Sequence, residues 1–345
     1  MARRLLWASL GLAPLTIVID LTVHPGKMTI FILAAVSLIP LAWLIGEATE
    51  HAAQHTGPGI GGFLNATFGN APELIIAMFA VADGLFEVVR GSLTGSVVGN
   101  LLLVLGFSLL VGPAQRIDRE SAMISIGLVV LATAAFLIVA VPAWEGDTNR
   151  HSLQILSLPV SIALLVVYVV VTWVQLRRHR ATFVSEEIEE ETWSLPASLG
   201  VLAIATAVTA FVAELLVHSI QDFAEKVHVS DFFVAAVIVA IVGNAAEHGG
   251  AVVVARRGHV KLATEIALSS SAQVAVFLIP AVALLSWAVK PLTLAFRQVE
   301  IGVLGVAAIL TALLLVHGRS SSWRGAALIV AYAGAAVVFY KAGGR

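Results

Sequence analysis

The sequence predicts an all-α polytopic membrane protein of about eleven transmembrane helices, one N-terminal helix followed by two inverted five-helix repeats. Three observations carry this expectation. The 345 residues are 59% apolar and only 12% charged, whereas a soluble globular chain is roughly half apolar and a quarter charged. Long apolar runs follow one another from end to end. Two acidic motifs, Gly69-Asn70-Ala71-Pro72-Glu73 and Gly243-Asn244-Ala245-Ala246-Glu247, lie inside matching runs.

A helix that crosses the hydrocarbon core needs about 20 apolar residues. Such runs fall at approximately 5–22, 28–50, 60–82, 90–112, 121–143, 152–175, 195–218, 231–255, 262–288, 297–317 and 323–341. Helices are expected because a backbone in lipid must satisfy its hydrogen bonds within the segment, and strand-like alternation is absent. The first run, behind Met1-Ala-Arg-Arg, has the outline of a signal peptide, but no small-residue cleavage site follows it and it reads as a membrane helix. Basic residues in alternate connections set the orientation. With the N-terminus inside, Arg3, Arg4, Arg116, Arg119, Arg177, Arg178, Arg180, Arg256, Arg257, Lys261, Arg319 and Arg324 share one side, 12 of the 20 Lys and Arg. The expected N-terminus is therefore cytoplasmic and the C-terminus external.

The 20 basic and 22 acidic residues nearly cancel and gather between the apolar runs, so no basic surface invites nucleic acid. The absence of cysteine excludes disulfides and thiolate metal sites. The one long polar connection, Arg177 to Thr192, holds the acidic run Ser185-Glu-Glu-Ile-Glu-Glu-Glu191 and reads as a joint. The expected organisation is an N-terminal helix over 1–27, a first repeat over 28–176, a cytoplasmic linker over 177–194 and a second repeat over 195–345.

The repeat is visible in the residues. An offset of 247 − 73 = 174 pairs Gly69 with Gly243, Asn70 with Asn244, Ala77 with Ala251, Gly84 with Gly258 and Ser96 with Ser270. Upstream, with a seven-residue length difference, Glu47-x3-His51-x2-Gln54 matches Glu214-x3-His218-x2-Gln221. An odd number of helices per copy turns the second copy upside down, the plan of many secondary transporters.

Glu73 and Glu247 fall well inside their runs, where a charged side chain costs about 2.5–3.5 kcal/mol on insertion scales and marks a functional candidate. On a helix, Asn70 and Glu73 face the same way, as do Asn244 and Glu247. Pro72 lacks a donor and crowds the carbonyl of Phe68, so backbone oxygens are loosened there. Carboxylates, amide oxygens and freed carbonyls are hard ligands that suit Ca2+ or Mn2+ better than zinc or copper. A polar bridge between helices is the bland alternative, and the matched occurrence of two such motifs weighs against it. In poorly hydrated surroundings protons compete with a cation for paired carboxylates. Two protons or one divalent ion leave the same net charge, which is a physical basis for exchange.

The motif Gly69-Asn-Ala-Pro-Glu-Leu74, the run Gly95-Ser-Val-Val-Gly-Asn-Leu-Leu-Leu-Val-Leu-Gly106, and in the second half Gly243-Asn-Ala-Ala-Glu-His248 with Ser269-Ser-Ser-Ala-Gln273 resemble the cation/proton exchangers of the calcium/cation antiporter superfamily. The resemblance spans essentially the whole chain. It implies that Glu73 and Glu247 bind the exchanged cation and the protons. It implies pathway positions for Asn70, Asn244, Asn100 and Gln273, and, on flanking segments, for Glu50, Glu214, His218 and His248. Two departures stand out: Pro72 is like the sodium/calcium exchanger branch, and Ser269 stands where glycine is common. That branch typically carries a hydroxyl residue where this chain has Asn70 and Asn244.

The expected function is proton-coupled export of Ca2+ from the cytosol by alternating access. It involves no catalysis and no cofactor. Ca2+ is the transported substrate, and Ca2+, H+ and the lipid bilayer are the partners. A prokaryotic cell membrane is the expected location, and an oligomer is allowed. The alternatives are a Na+/Ca2+ exchanger, a passive cation channel and an intramembrane metallohydrolase. The last is suggested by His51-x3-His55 on one helical face but lacks a His-Glu-x-x-His helix and a third ligand. Glu47, Glu50, His51 and His55 form either a proton relay or an interfacial polar face. The acidic run at 186–191 either concentrates Ca2+ or is a solvated linker. Asp83, Glu87, Arg297 and Glu300, with Arg177-Arg-His-Arg180, read as snorkelling or topological residues at helix ends.

Overall fold

The computed structural model describes residues 2–146, 150–179 and 193–343. The acidic run at 186–191 lies outside the described residues. Those that are described form helices: α1 (Leu5–Val23), α2 (Lys27–Phe68), α3 (Ala71–Asp83), α4 (Phe86–Val111), α5 (Arg119–Trp144), α6 (Arg150–His179), α7 (Leu195–Lys226), α8 (Asp231–Gly243), α9 (Ala245–Arg256), α10 (Val260–Ala288), α11 (Gln298–Leu315) and α12 (Ser322–Gly343). The only strand-like pairing among them is an isolated bridge between Arg116 and Arg319.

Among the described residues nine helices are long and apolar enough to cross a membrane, and α8 with α9 makes a tenth, bent by 59° at Asn244. The span expected at 60–82 is not one helix. Its first part is assigned to α2, and the rest is α3, 13 residues long and so about 20 Å at 1.5 Å per residue, too short to cross alone. The reason is the Gly69-Asn70 break, where Asn70 leaves the helical region (φ −99°, ψ 13°).

Side-chain and backbone contacts sort the connections into two ends. At one, the Trp144 indole donates to the Phe296 carbonyl (2.9 Å) and Gln154 to the Pro291 carbonyl (3.1 Å). At the other, the Ile117 amide donates to Gly318 (3.1 Å), Gln115 to the Gly258 carbonyl (2.8 Å), and Lys261 lies 3.6 Å from Asp118. These are called the Asp83 end and the Asp118 end. The alternation makes α2 and α7 antiparallel. Phe31 stacks on Phe223 at 4.0 Å near the Asp83 end, and His51 stacks on Trp193 at 4.6 Å near the other. By the same alternation α3 runs toward the Asp83 end and α9 away from it.

In lipid, apolar side chains gain nothing by leaving one apolar medium for another, so helices associate through close packing of small residues. Gly91 and Gly95, one turn apart on α4, meet the backbone of α8: a Cβ on Gly91 would lie 2.8 Å from the Phe232 carbonyl oxygen, and one on Gly95 would overlap the Ala236 backbone. Gly106 of α4 and Gly325 of α12 approach each other in the same way. Val166, Val169 and Val170 on α6, and Val306, Ile309 and Leu313 on α11, point outward and are exposed, as lipid-facing residues should be. Gly95→Ala is therefore expected to cost about 1–3 kcal/mol by overpacking against rigid backbone. Gly127→Ala, where a Cβ meets open space, is expected to be neutral or stabilising. Thermal unfolding in detergent, followed by size exclusion, compares the two.

Two further departures from regular helix occupy related positions. Gly99–Val104 in α4 and Val274–Leu278 in α10 are π-helical, and the 174 offset carries 99–104 onto 273–278. A third π segment, Val234–Val239, lies in α8. π turns are uncommon and frequently accompany functional sites.

Candidate functional site

Each acidic motif is a broken helix. Asn70 precedes α3 and Asn244 precedes α9 in nearly the same conformation (φ −99°, ψ 13° and φ −92°, ψ 10°). In both, the asparagine carbonyl accepts the first amide of the new helix, from Leu74 at 3.0 Å and from His248 at 2.9 Å. The second break has Ala246 where the first has Pro72, so the glycine-asparagine pair is enough and the proline is not required. Glu73 and Glu247 each fall in the first turn of the helix that follows. The positive ends of two oppositely directed half-helices therefore face the carboxylates.

The two halves interlock. Glu73 is buried, with 8% of its surface exposed, and lies against the other motif: a Cβ on Gly243 would sit 3.3 Å from Glu73 Cγ and 3.4 Å from Oε1. Glycine at 243 thus makes room for the carboxylate of the first repeat, four residues before Glu247. Around them runs a network of amides and hydroxyls. Asn244 Nδ2 donates to Ser96 Oγ (2.8 Å) and to the Ala240 carbonyl (2.9 Å). Asn100 Nδ2 donates to Asn244 Oδ1 (3.4 Å) and Ser270 Oγ (3.1 Å). The Ser270 hydroxyl donates to the Glu247 carboxylate, and Asn70 Nδ2 donates to Gln273 Oε1 (3.3 Å). Asn100 is fully buried where the α4 π segment begins, and Gln273 immediately precedes that of α10.

Six expected residues thus come together: Glu73, Glu247, Asn70, Asn244, Asn100 and Gln273. Glu73 Oε2 and Asn100 Oδ1 are buried oxygens with no donor among the described residues. Unpaired buried oxygens are costly and call for an explanation, such as a bound ion. Carboxylate and amide oxygens of this kind match the hard, oxygen-rich shell that calcium takes. Ser96 and Ser270 also join the network, although the sequence singled them out only as a pair in the repeat alignment.

The other expected residues lie apart from this network. Glu50 is exposed on α2 and Glu214 half-buried on α7. His218 of α7 pairs with Asp83 at 3.2 Å. His248, next to Glu247, has a buried Nε2 without a hydrogen-bond partner. His51 is buried, 3.9 Å from Glu47 and stacked on Trp193, while His55 Nε2 lies 2.7 Å from the Trp193 carbonyl oxygen.

The reading of Arg297 and Glu300 as snorkelling helix-end residues is corrected. Glu300 is 0% exposed, and its Oε1 lies 3.5 Å from Arg90 Nε and 3.4 Å from Arg297 Nε. Its other oxygen accepts the Arg297 backbone amide at 2.5 Å, and the Arg297 guanidinium sits 4.1 Å over the Phe232 ring. The partner that buries this charge, Arg90, is supplied by α4, far away in sequence.

Comparison with known proteins agrees with this architecture. The profile of the sodium/calcium exchanger protein family matches residues 27–177 and 197–341. The Ca2+/H+ antiporter ChaA of Bacillus subtilis (strain 168) is 38% identical over 339 residues, covering 95% of this chain and 96% of that protein. The solved structure of native YfkE superposes with a TM-score of 0.84 at 34% identity, over 97% of this chain and 99% of that one. A structure of the H+/Ca2+ exchanger CAX shares the fold, with a TM-score of 0.76 at 15% identity over 99% of this chain and 92% of that one. The chain belongs to the sodium/calcium exchanger protein family, in its cation/proton exchanger branch.

Proposed function

We propose that this multi-pass membrane protein is a Ca2+/H+ antiporter that exports Ca2+ from the cytosol by alternating access, with Ca2+ and protons competing for Glu73 and Glu247. The observation that carries the reading is the meeting of two half-helices, one from each repeat, in which Glu73 lies against Gly243 of the second motif and Glu247 joins the network of Ser270, Asn100 and Asn244, with Asn70 and Gln273 bonded to each other. A dication bound between two carboxylates gives the same net charge as two protons, so either load allows the site to turn over and an unloaded, doubly charged site resists it. The relatives compared above carry the name Ca2+/H+ antiporter or describe such an exchanger, which supports protons as the coupling ion. Asparagine at both motif positions, in place of a hydroxyl, supports the same choice.

The repeats extend over 28–176 and 195–345, a division supported by the two-part family match. The Asp118 end is cytoplasmic and the Asp83 end external. In support, the Asp118 end carries Arg116, Arg119, Arg256, Arg257, Lys261, Arg319 and Arg324, as the positive-inside rule requires. The host membrane is a prokaryotic inner membrane.

Purified protein in proteoliposomes tests the coupling. An imposed pH gradient is expected to drive Ca2+ uptake, and a sodium gradient of equal size is expected to drive none. Uptake that follows sodium and ignores pH would make the protein a sodium-coupled exchanger. Ca2+ movement down its own gradient with no counter-ion requirement would make it a channel.

A further inference from the structure

We infer that Asp83 and His218 form a latch that closes the mouth of the pathway at the Asp83 end. α2 and α7 carry the repeat-related pattern Glu-x3-His-x2-Gln. They pack along each other, with α7 also lying against α3 and α2 against α9, so each long helix flanks the motif helix of the other repeat. At the Asp83 end, α7 is tied across to the site-bearing helices by two polar contacts. His218 Nε2 lies 3.2 Å from Asp83 Oδ2 at the last residue of α3, and Gln221 Nε2 donates to Asp231 Oδ2 (3.4 Å) at the first residue of α8. Both side chains are partly exposed, 45% for His218 and 33% for Asp83.

Among the described residues the repeat gives this arrangement no counterpart at the Asp118 end. The mates of His218 and Gln221 are His51 and Gln54. The mate of Asp83 is Arg257, and that of Asp231 is Gly57, by the 174 offset. His51 meets Glu47 on its own helix and the Trp193 ring and, among the described residues, no carboxylate across an interface. A His–Asp contact between helices that must separate for access is thus built into one mouth.

The contact of His218 with Asp83 holds the end of α7 on α3. The other charged groups nearby are Glu214 and Asp222, one turn to either side on α7, Asp231 at the start of α8 and Glu87 at the start of α4. Lys290 has its ammonium against Gly84, and Asp20, His24 and Lys27 sit at the same end of α1 and α2, with His228 after α7.

The inference rests on the alternating-access reading, but its test reads the mouth and not the flux. The chain has no cysteine, so Ala80→Cys, at a buried position one turn before Asp83 on α3, reports without background, and Ala77→Cys serves as a second reporter. The full-length protein in right-side-out vesicles is treated with a membrane-impermeant maleimide. Asp83→Asn and His218→Gln are each expected to raise labelling about threefold, the scale of one exposed ion pair. The exchanged pair, Asp83→His with His218→Asp, is expected to regain protection. Equal labelling of parent and single variants at both reporters would overturn the latch. A protein that labels as expected yet fails to exchange Ca2+ for protons would overturn the transport reading alone.

Discussion

Glu73→Gln and Glu247→Gln are each expected to lower proton-driven Ca2+ flux in proteoliposomes by at least about a hundredfold. The size follows from charge. At an effective dielectric of about 20 and a separation of about 4 Å, one charge pair is worth roughly 4 kcal/mol, and every 1.4 kcal/mol is a factor of about ten in binding. Glutamine keeps the shape and one oxygen but neither the charge nor the exchangeable proton. Each variant therefore loses cation affinity and proton competition together. In the wild type, acidifying the side from which Ca2+ binds should raise the Ca2+ concentration needed for half-maximal flux, because protons occupy the carboxylates. In either variant any residual flux should lose most of that dependence. Both substitutions leave the Ser96–Asn244 and Asn100–Ser270 hydrogen bonds in place, so the folded fraction should hardly change. Flux within threefold of wild type in either variant would remove that carboxylate from the site.

Glu300→Leu is expected to cost about 3–5 kcal/mol of stability, the penalty for stranding a buried charge. Arg90 on α4 and Arg297 on α11 both approach this fully buried carboxylate, and nothing else near them replaces it, since Glu87 reaches Arg297 only at 3.8 Å from the exposed rim. Adding Arg90→Leu to Glu300→Leu should recover most of the loss, because an apolar pair of similar volume can replace a buried ion pair at little cost. Thermal unfolding of the detergent-solubilised protein measures both. A single variant as stable as the parent would mean that water reaches Arg90.

Much of this architecture was legible because membrane insertion and internal duplication leave strong marks. The 174 offset pairs Gly69 with Gly243 and Glu73 with Glu247, and the two motifs do touch, Glu73 lying over the bare backbone of Gly243. Glycine precedes each asparagine, and both helices break there, the second with Ala246 where the first has Pro72. Other features had no local signal. The π segments beginning at Gly99 and Val274 depend on how α4 and α10 pack, and no residue type encodes an i→i+5 bond, although the offset shows that both copies kept one. Glu300 looked like a helix-end acid because Arg90, which makes its burial tolerable, stands on a different helix. His218 looked like a flanking polar residue for the same reason: its partner Asp83 ends a helix of the other repeat.

The proposed exchange requires one cation and the protons to share Glu73 and Glu247. Calorimetry of Ca2+ binding to the purified protein, repeated in buffers of different ionisation enthalpy, counts the protons released per ion bound. At a pH where the carboxylates are largely protonated, net release approaching two protons per Ca2+ is expected in the wild type and none in the Glu73→Gln/Glu247→Gln double variant. Ca2+ binding that releases no protons in the wild type, or unchanged release in the double variant, would contradict it.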